Sequence, residues 1–203
     1  MKILSILSPT YILASVLKNQ FNRTKTIWFL NSFYLWLAIL SSVALLIFQE
    51  YYSPIGVINL NEALPFYTIF IWSYFLLSRC NEIFYAFLSD AYDKMDESIK
   101  PNSDLTPKHR ITLSLRSYIE LIINFSTLYL LLPASKEVWG NGQVPDTVAE
   151  SIYFSGVTIT TLGYGDISPA HWFPQLLTVY EVFCGFILLI VCFAIYAGRL
   201  KKP

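Results

Sequence analysis

The chain has 203 residues, of which 55% are hydrophobic and only 14% are charged, and its formal net charge is zero. Soluble domains carry about 25% charged residues, so this composition excludes an ordinary water-soluble domain and favours a membrane protein embedded in a lipid bilayer. The zero net charge argues against a nucleic-acid partner. The three cysteines lie inside apolar runs, which argues against a disulfide framework: Cys80, Cys184 and Cys192.

Residues 1–26 form an N-terminal segment with an apolar run that is broken by Pro9 and followed by basic residues from Lys18 onwards. A signal peptide has a similar general pattern, but no clear cleavage site of small residues follows the apolar run. The basic residues favour an amphipathic helix on the inner membrane surface.

Residues 27–106 are predicted to hold two peripheral transmembrane helices and a cytoplasmic loop. The stretch 27–48 carries no charge and has about the 20 residues that cross a bilayer. The second predicted span, 64–90, begins with a proline suited to a first helical turn and carries charged residues near its middle. Residues 91–106 are polar and of mixed charge.

Residues 107–203 are predicted to hold an outer helix, a short helix, a glycine-rich loop and an inner helix. Thr106-Pro107 is a typical helix start, which predicts a third span over 107–132. Thr147 and Glu150 fit a capping box, so a helix is expected over 148–160. At about 20 Å it is too short to cross the membrane, which indicates a re-entrant segment. A fourth span is expected over 172–198.

The basic residues predict the orientation of these spans. They concentrate in the N-terminal segment, the 91–110 region and the C-terminal tail, whereas the two opposite loops together contain only Lys136. The positive-inside rule therefore places both termini in the cytoplasm and the loops before the second and fourth spans outside.

Residues 158–166 read Thr-Ile-Thr-Thr-Leu-Gly-Tyr-Gly-Asp. This stretch resembles the selectivity-filter signature of potassium channels, TxTTxGYGD. In that family backbone carbonyls replace the hydration shell of the ion. Carbonyls that point the same way need alternating backbone hands, and Gly163 and Gly165 tolerate the positive φ this requires. The resemblance implies that K⁺ is held by the carbonyls of Thr161, Leu162, Gly163 and Tyr164, with Gly165 completing the filter.

The resemblance implies an all-α membrane protein with four transmembrane helices, a re-entrant pore helix and a filter loop, similar to small prokaryotic potassium channels. One signature per chain implies a homotetrameric pore in the cell (inner) membrane, with the filter mouth extracellular or periplasmic. K⁺ is then the permeant ion. We expect no organic cofactor, no small-molecule substrate and no enzymatic activity, because no Walker sequence, metal cluster or nucleophile constellation is present.

Four residues are expected to support the filter. Tyr153 and Phe154 occupy pore-helix positions where many potassium channels have a tryptophan pair, which implies an aromatic cuff, with Tyr153 bonding toward Asp166. They also fit ordinary lipid-facing or core aromatics. Glu181 lies about two turns inside the inner helix and is expected either to bond to the shell behind the filter or to face water.

The inner helix carries Gly185 twenty residues after Gly165, where potassium channels place a bending glycine. Glycine weakens a helix by about 1 kcal/mol, so it suits a gating hinge. It equally suits tight helix packing in membranes. Leu189 and Phe193 follow on the same helical face and are expected to line the lower cavity.

Four charged residues fall inside the predicted second and third spans. A charge at mid-membrane costs about 2.5–3.5 kcal/mol on insertion scales, so partners are expected. Matching depths in antiparallel helices pair Arg79 with Glu120 and Glu82 with Arg116. The alternative pairs lie within one helix, Arg79 with Glu82 and Arg116 with Glu120. A single arginine in the second span does not support a voltage sensor.

Three alternatives to a potassium channel are open at this stage. A non-conducting regulatory subunit would be free to lose the filter glycines, which are intact here. A potassium transporter core would need four pore loops in one chain. A less selective cation channel is disfavoured by the Tyr164-Gly165 pair.

Overall fold

The structure, a computed structural model, describes residues 8–52, 60, 64–95, 103–140 and 142–200. These residues form helices, with one isolated bridge between Gln143 and Ile167 as their only β-type pairing. The helices, in chain order, are α1 (Pro9–Gln20), α2 (Arg23–Tyr52), α3 (Phe66–Met95), α4 (Pro107–Leu130), α5 (Lys136–Trp139), α6 (Val148–Ile159), α7 (Trp172–Phe186) and α8 (Phe193–Leu200). A π-helical segment, Ile187–Cys192, joins α7 to α8.

Two of the described helices are long and apolar enough to cross a membrane by length and composition: Arg23–Tyr51 and Trp172–Gly198. The second of these runs through α7, the π segment and α8. Helix α6 is apolar but short. Helices α3 and α4 have 30 and 24 residues but do not meet the same composition test.

Helix α1 is fixed to the middle of α3 by polar contacts. The hydroxyl groups of Ser8 and Thr10 donate to the carbonyl oxygen of Ser78 at 2.8 and 3.0 Å. The Thr10 amide donates to the Ser78 hydroxyl at 3.2 Å. The helix therefore has an apolar face and is also attached to α3 by hydrogen bonds. The amphipathic pattern of the sequence does not predict this attachment.

Helix α4 is the centre of the bundle. It contacts α2, α3, α6, α7, the π segment and α8. Its inward face is fully buried at Leu121, Phe125 and Tyr129. In a bilayer, lipid is as apolar as these side chains, so van der Waals packing rather than removal from water would stabilise the bundle. This central position lets α4 hold both the short helix α6 and the peripheral helices.

The last long helix is interrupted where it passes α3 and α4. The π segment contacts both of these helices. Within it, the Cys192 thiol lies 3.7 Å from the carbonyl oxygen of Phe87 in α3. Single π turns inside α-helices are uncommon and often lie near functional sites.

Candidate ion-binding site

Helix α6 begins with the predicted capping box. The Thr147 hydroxyl accepts from the Glu150 amide at 3.1 Å, and Glu150 Oε2 accepts from the Thr147 amide at 3.3 Å. Two amides that lack a partner within the helix are thereby satisfied. The helix ends at Ile159, and the Leu162 amide turns back to the Val157 carbonyl at 3.0 Å. The capped helix therefore delivers the following loop in a defined direction.

Every second residue of the loop has a backbone with positive φ. Thr161, Gly163 and Gly165 have φ of +62°, +56° and +81°, whereas Leu162 and Tyr164 are not among the residues of positive φ. Glycine adopts this region readily. A β-branched residue does not; such a conformation costs about 1–3 kcal/mol and persists only where the surroundings impose it. The strain at Thr161 therefore marks a candidate functional position.

The main-chain oxygens of residues 161–165 have no hydrogen-bond donor in the part of the chain that the structure describes. The side chains of Leu162 and Tyr164 are 62% and 68% exposed in the single chain. Successive unpaired carbonyl oxygens are suitable ligands for a hard cation. The described residues hold no cluster of His, Cys, Asp or Glu that could bind a metal ion in another way.

The C-terminal end of the loop is held by Tyr153 and Asp166. The Tyr153 hydroxyl donates to Asp166 Oδ2 at 2.7 Å, and the Tyr153 ring stacks on the Tyr164 ring with centroids 6.4 Å apart. The bond from Tyr153 lowers the pKa of Asp166 below its usual range. The Asp166 carbonyl accepts from the Gln143 amide at 3.0 Å. The end of the loop is thus tied to α6 and to the 140–147 segment.

The two adjacent aromatics of α6 point in different directions. Tyr153 is 41% exposed beside the loop, but Phe154 is 6% exposed. The Phe154 ring lies edge-to-face with Tyr129 and Trp139, at centroid distances of 4.8 and 5.4 Å. Neighbouring helical residues are separated by about 100°, so one faces the loop and the other the core. Of these two aromatics, Tyr153 contacts the loop, and Phe154 packs α6 against α4 and α5.

Glu181 connects three helices behind the loop. Its side chain is fully buried, and Oε2 accepts from the Tyr129 hydroxyl of α4 at 2.7 Å. Its Oε1 accepts from the Ser155 hydroxyl of α6. Of the two positions expected for Glu181, the structure shows the one bonded to the helix behind the loop and not the water-exposed one. Tyr129 and Ser155 were not expected as partners, because nothing in their local sequence distinguishes them from other polar residues in a helix.

Gly185 lies against the end of α6. A Cβ atom at this position would be 2.6 Å from Ile159 Cγ1 and 3.1 Å from the Ile159 carbonyl oxygen. Tight packing, one of the two expectations for this glycine, is therefore present, and bending stays a prediction. Leu189 is 37% exposed. The side chain of Phe193 lies outside the described part of the structure, so the predicted cavity lining is described at Leu189 alone.

Three of the four predicted buried charges form one cluster with Arg79 at its centre, and the fourth, Arg116, lies apart from it. Arg79 Nε and Nη2 donate to the two carboxylate oxygens of Glu120 at 2.6 and 3.0 Å. Arg79 Nη1 lies 2.9 Å from Glu82 Oε1. The guanidinium also lies over the Tyr34 ring, 4.1 Å from its centroid. Arg79 thus forms both the predicted cross-helix pair and the alternative pair within α3.

The predicted pairing of Glu82 with Arg116 is wrong. Arg116 Nη1 donates to the Ser32 hydroxyl at 3.2 Å, and its guanidinium lies 5.1 Å from the Trp28 ring centroid. Both partners belong to α2, which packs along this part of α4. Matching depth did not fix the direction of the side chain around α4, and that direction takes Arg116 to α2. The alternative pair of Arg116 with Glu120 is also not among the described ion pairs.

A family model described as "Ion channel" matches residues 117–202, less than half of the chain. This region includes most of α4, the capped helix, the loop and the last long helix. The region is similar to ion-channel domains, which supports passive ion conduction and indicates a transport protein rather than an enzyme. Together with the two apolar helices it indicates a membrane protein. Searches of curated proteins and of solved structures gave no match.

Proposed function

We propose that this protein is a potassium-selective channel that conducts K⁺ passively through a pore formed by four identical chains. The observation that carries the proposal is the loop 158–166. It has the potassium-channel signature and a backbone that alternates in hand, and the carbonyl oxygens of residues 161–165 accept no hydrogen bond from the described residues. In the proposed filter, the carbonyls of residues 161–164 replace the water that a K⁺ ion gives up. The Thr161 hydroxyl adds an oxygen at the inner end.

A tetramer is part of this proposal because one loop supplies only one wall of a filter. Residues 160–166 are exposed in the single chain, so their carbonyls are accessible to an ion on an axis shared with other copies. The carboxyl end of helix α6 carries a partial negative charge, and four such ends directed at one cavity would favour a cation there. The strained conformation of Thr161 would be balanced by contacts that the loop makes in the assembly.

The proposed topology has four spans, with α3 and α4 as the second and third. The charges in these two helices would be expensive in lipid if they were unpaired. Arg79 is instead 5% exposed and bonded to two carboxylates, one on each helix. Such pairing is what a charge inside a span requires. The distribution of basic residues supports cytoplasmic termini, an outward filter mouth and a location in the cell (inner) membrane.

The bracing of the loop offers a physical basis for selectivity. A filter distinguishes K⁺ from Na⁺ through the size of its oxygen cage or the field strength of its carbonyls. Both depend on keeping the carbonyls in place. The Tyr153–Asp166 bond holds the outer end, and the Ser155–Glu181 bond holds the helix behind the loop. Leu162 differs from the more common Val or Ile but supplies the same carbonyl.

The test is cation flux into liposomes that contain the purified full-length protein. A K⁺ gradient should drive flux that an equal Na⁺ gradient does not. Gly163→Ala should abolish this preference because its φ of +56° disfavours any side chain, although no atom within 4 Å would block a Cβ. Gly198→Ala is the matched control, since this exposed glycine has open space and no positive φ.

The alternatives correspond to different outcomes of the same measurement. Equal K⁺ and Na⁺ flux would identify a less selective cation channel. A folded tetramer without flux would favour the non-conducting regulatory subunit. Either result would reject the proposed function.

A further inference from the structure

A second polar site lies away from the proposed filter. A cavity of about 210 Å³ is lined by residues of α1, α2, α3 and α4 and by Tyr196 of α8. Exposed Asn19 belongs to its lining, so the cavity reaches the protein surface. Its volume is below the roughly 300–1,000 Å³ typical of pockets for drug-sized molecules, which sets the scale for a small ligand or a headgroup.

The cavity wall contains polar atoms without a partner. Four buried side-chain nitrogen or oxygen atoms lack a hydrogen-bond partner within the described residues, and three of them belong to lining residues. They are Glu82 Oε2, Asn31 Oδ1 and Arg23 Nε. The Glu82 and Asn31 side chains are 3% and 7% exposed. Buried polar groups are nearly always satisfied, so this concentration in one cavity points to a ligand.

The free atoms are held in place by the bonds of their own side chains. Asn31 Nδ2 donates to the Ser117 hydroxyl at 2.8 Å, which leaves Oδ1 as an acceptor toward the cavity. Glu82 Oε1 is paired with Arg79, which leaves Oε2 as an acceptor. The cavity therefore presents two fixed acceptors that require hydrogen-bond donors.

The same cavity also presents cations without a paired anion. Two lining arginines are engaged, Arg79 with Glu120 and Glu82, and Arg110 with Asp90. Lys18 and Arg23 take part in none of the described ion pairs. Of the described carboxylates that line the cavity, Asp93 is the one that takes part in no described ion pair.

Lys18 is in an unfavourable place for a charge. Burial is the largest cause and lowers the pKa of its ammonium group; the Glu82 carboxylate, next in size, raises this pKa, and Arg79 and then Arg23 lower it. Lys18 and Arg23 both line this cavity and repel each other, so an anion bound beside them would stabilise both charges. Arginine and lysine together are the usual binders of phosphate groups.

We propose that this cavity binds a phosphate ester whose substituent carries hydrogen-bond donors. The phosphate contacts Lys18 and Arg23, and hydroxyl or amine groups of the substituent donate to Glu82 Oε2 and Asn31 Oδ1. A glycerol phosphate group has both features. It is available as a free small molecule or as a lipid headgroup, and the exposed apolar residues of α1 beside the cavity suit acyl chains: Ile12, Leu13 and Val16.

The experiment measures binding directly and uses the full-length protein after removal of lipid. Calorimetry with glycerol 1-phosphate and with inorganic phosphate tests the soluble source. Native mass spectrometry after reconstitution in phosphatidylglycerol or phosphatidylcholine nanodiscs tests the lipid source. The double variant Lys18→Gln with Arg23→Gln should weaken binding at least tenfold. Lys25→Gln, a change to an exposed lysine at the start of the same helix α2, should leave it unchanged.

A second variant tests the donor half of the site and keeps the proposal falsifiable if the double variant misfolds. Asn31→Ala should weaken glycerol phosphate at least fivefold while leaving inorganic phosphate unaffected, because only the ester substituent reaches that acceptor. Binding in either the soluble or the nanodisc arm supports the site and identifies the source. No binding in both arms by folded protein, or equal losses in Lys25→Gln, overturns it. Because flux is not measured, this result is independent of the proposed channel activity.

Discussion

The contacts of Arg79 predict the order in which three variants lose free energy of unfolding. Arg79→Gln leaves two carboxylates without their cation, Glu82 at 3% and Glu120 at 0% exposure. Removal of one partner from a buried pair costs about 3–5 kcal/mol, because the remaining charge is uncompensated. Here two carboxylates are left, so Arg79→Gln should fall at the upper end of this range.

The two carboxylates should differ in their contributions. Glu120→Gln disrupts the two-point contact at 2.6 and 3.0 Å but leaves Arg79 paired with Glu82, so we expect a loss of about 1.5–3 kcal/mol. Glu82→Gln keeps an oxygen that accepts from Arg79 and replaces Oε2, which has no partner. We expect this variant to lose less than about 1.5 kcal/mol.

The assay is the free energy of unfolding in mixed detergent micelles, followed by tryptophan fluorescence, with Lys25→Gln as a surface control. A Glu82→Gln loss as large as that of Glu120→Gln would refute the assignment of the two-point contact. An Arg79→Gln loss smaller than that of Glu120→Gln would refute the central position of the arginine.

Charge exchange provides a sharper form of the same test. Arg79→Glu combined with Glu120→Arg should restore the cross-helix pair but places a new carboxylate three residues from Glu82. Like charges at this spacing repel. The double variant should therefore recover only part of the stability, and a third change, Glu82→Gln, should improve it. Full recovery in the double variant would show that Glu82 does not share this arginine.

Three further predictions concern the loop and its supports. Gly185→Ala should destabilise the protein and lower its melting temperature. The added Cβ would lie 2.6 Å from Ile159, and overpacking of this kind costs about 1–3 kcal/mol, whereas replacing a helical glycine by alanine gains about 1 kcal/mol. A higher melting temperature would favour the hinge. The Tyr153 bond lowers the pKa of Asp166, so this carboxylate stabilises the folded state at neutral pH, and that stability is lost as the pH falls through the lowered pKa. Tyr153→Phe should remove this contribution. Unfolding measured between pH 7 and acid pH should therefore show a smaller acid-induced loss of stability in the variant, and an equal loss would contradict the prediction. Burial, followed by the bond with Glu150 and its charge, raises the pKa of Asp146 from 3.8 to about 6. The stability that protonated Asp146 provides is then complete below about pH 3.8 and lost as the pH rises through 6. Asp146→Asn should make the free energy of unfolding less dependent on pH over this range. A pH dependence identical to that of the wild type would contradict the prediction.

Helix positions were predictable where local signals define them. Thr106-Pro107 marks the start of α4, and the Thr147–Glu150 capping box marks the start of α6, as the structure has them. The expected span 27–48 lies within the helix Arg23–Tyr52, and the expected span 64–90 begins just before the helix Phe66–Met95 and ends inside it. Hydropathy reports the apolar middle of a helix, whereas helical hydrogen bonds continue into the polar ends.

The contacts between helices were only partly predictable. Depth counting paired Arg79 with Glu120, and the structure has this pair. The same counting failed for Arg116, since depth along an axis says nothing about rotation around it. The π segment also has no sequence signal, because it forms where neighbouring helices pack. The unpartnered Oδ1 of Asn31 likewise depends on how the surrounding helices pack.

The central claim is that four copies of residues 161–164 hold K⁺ with main-chain oxygens. Anomalous diffraction from crystals of the full-length protein grown with Rb⁺ in place of K⁺ tests this claim most directly. We predict a row of Rb⁺ peaks on a fourfold axis, each coordinated by backbone carbonyls from four chains. The absence of a fourfold axis, or Rb⁺ peaks coordinated only by side chains elsewhere, would contradict the claim.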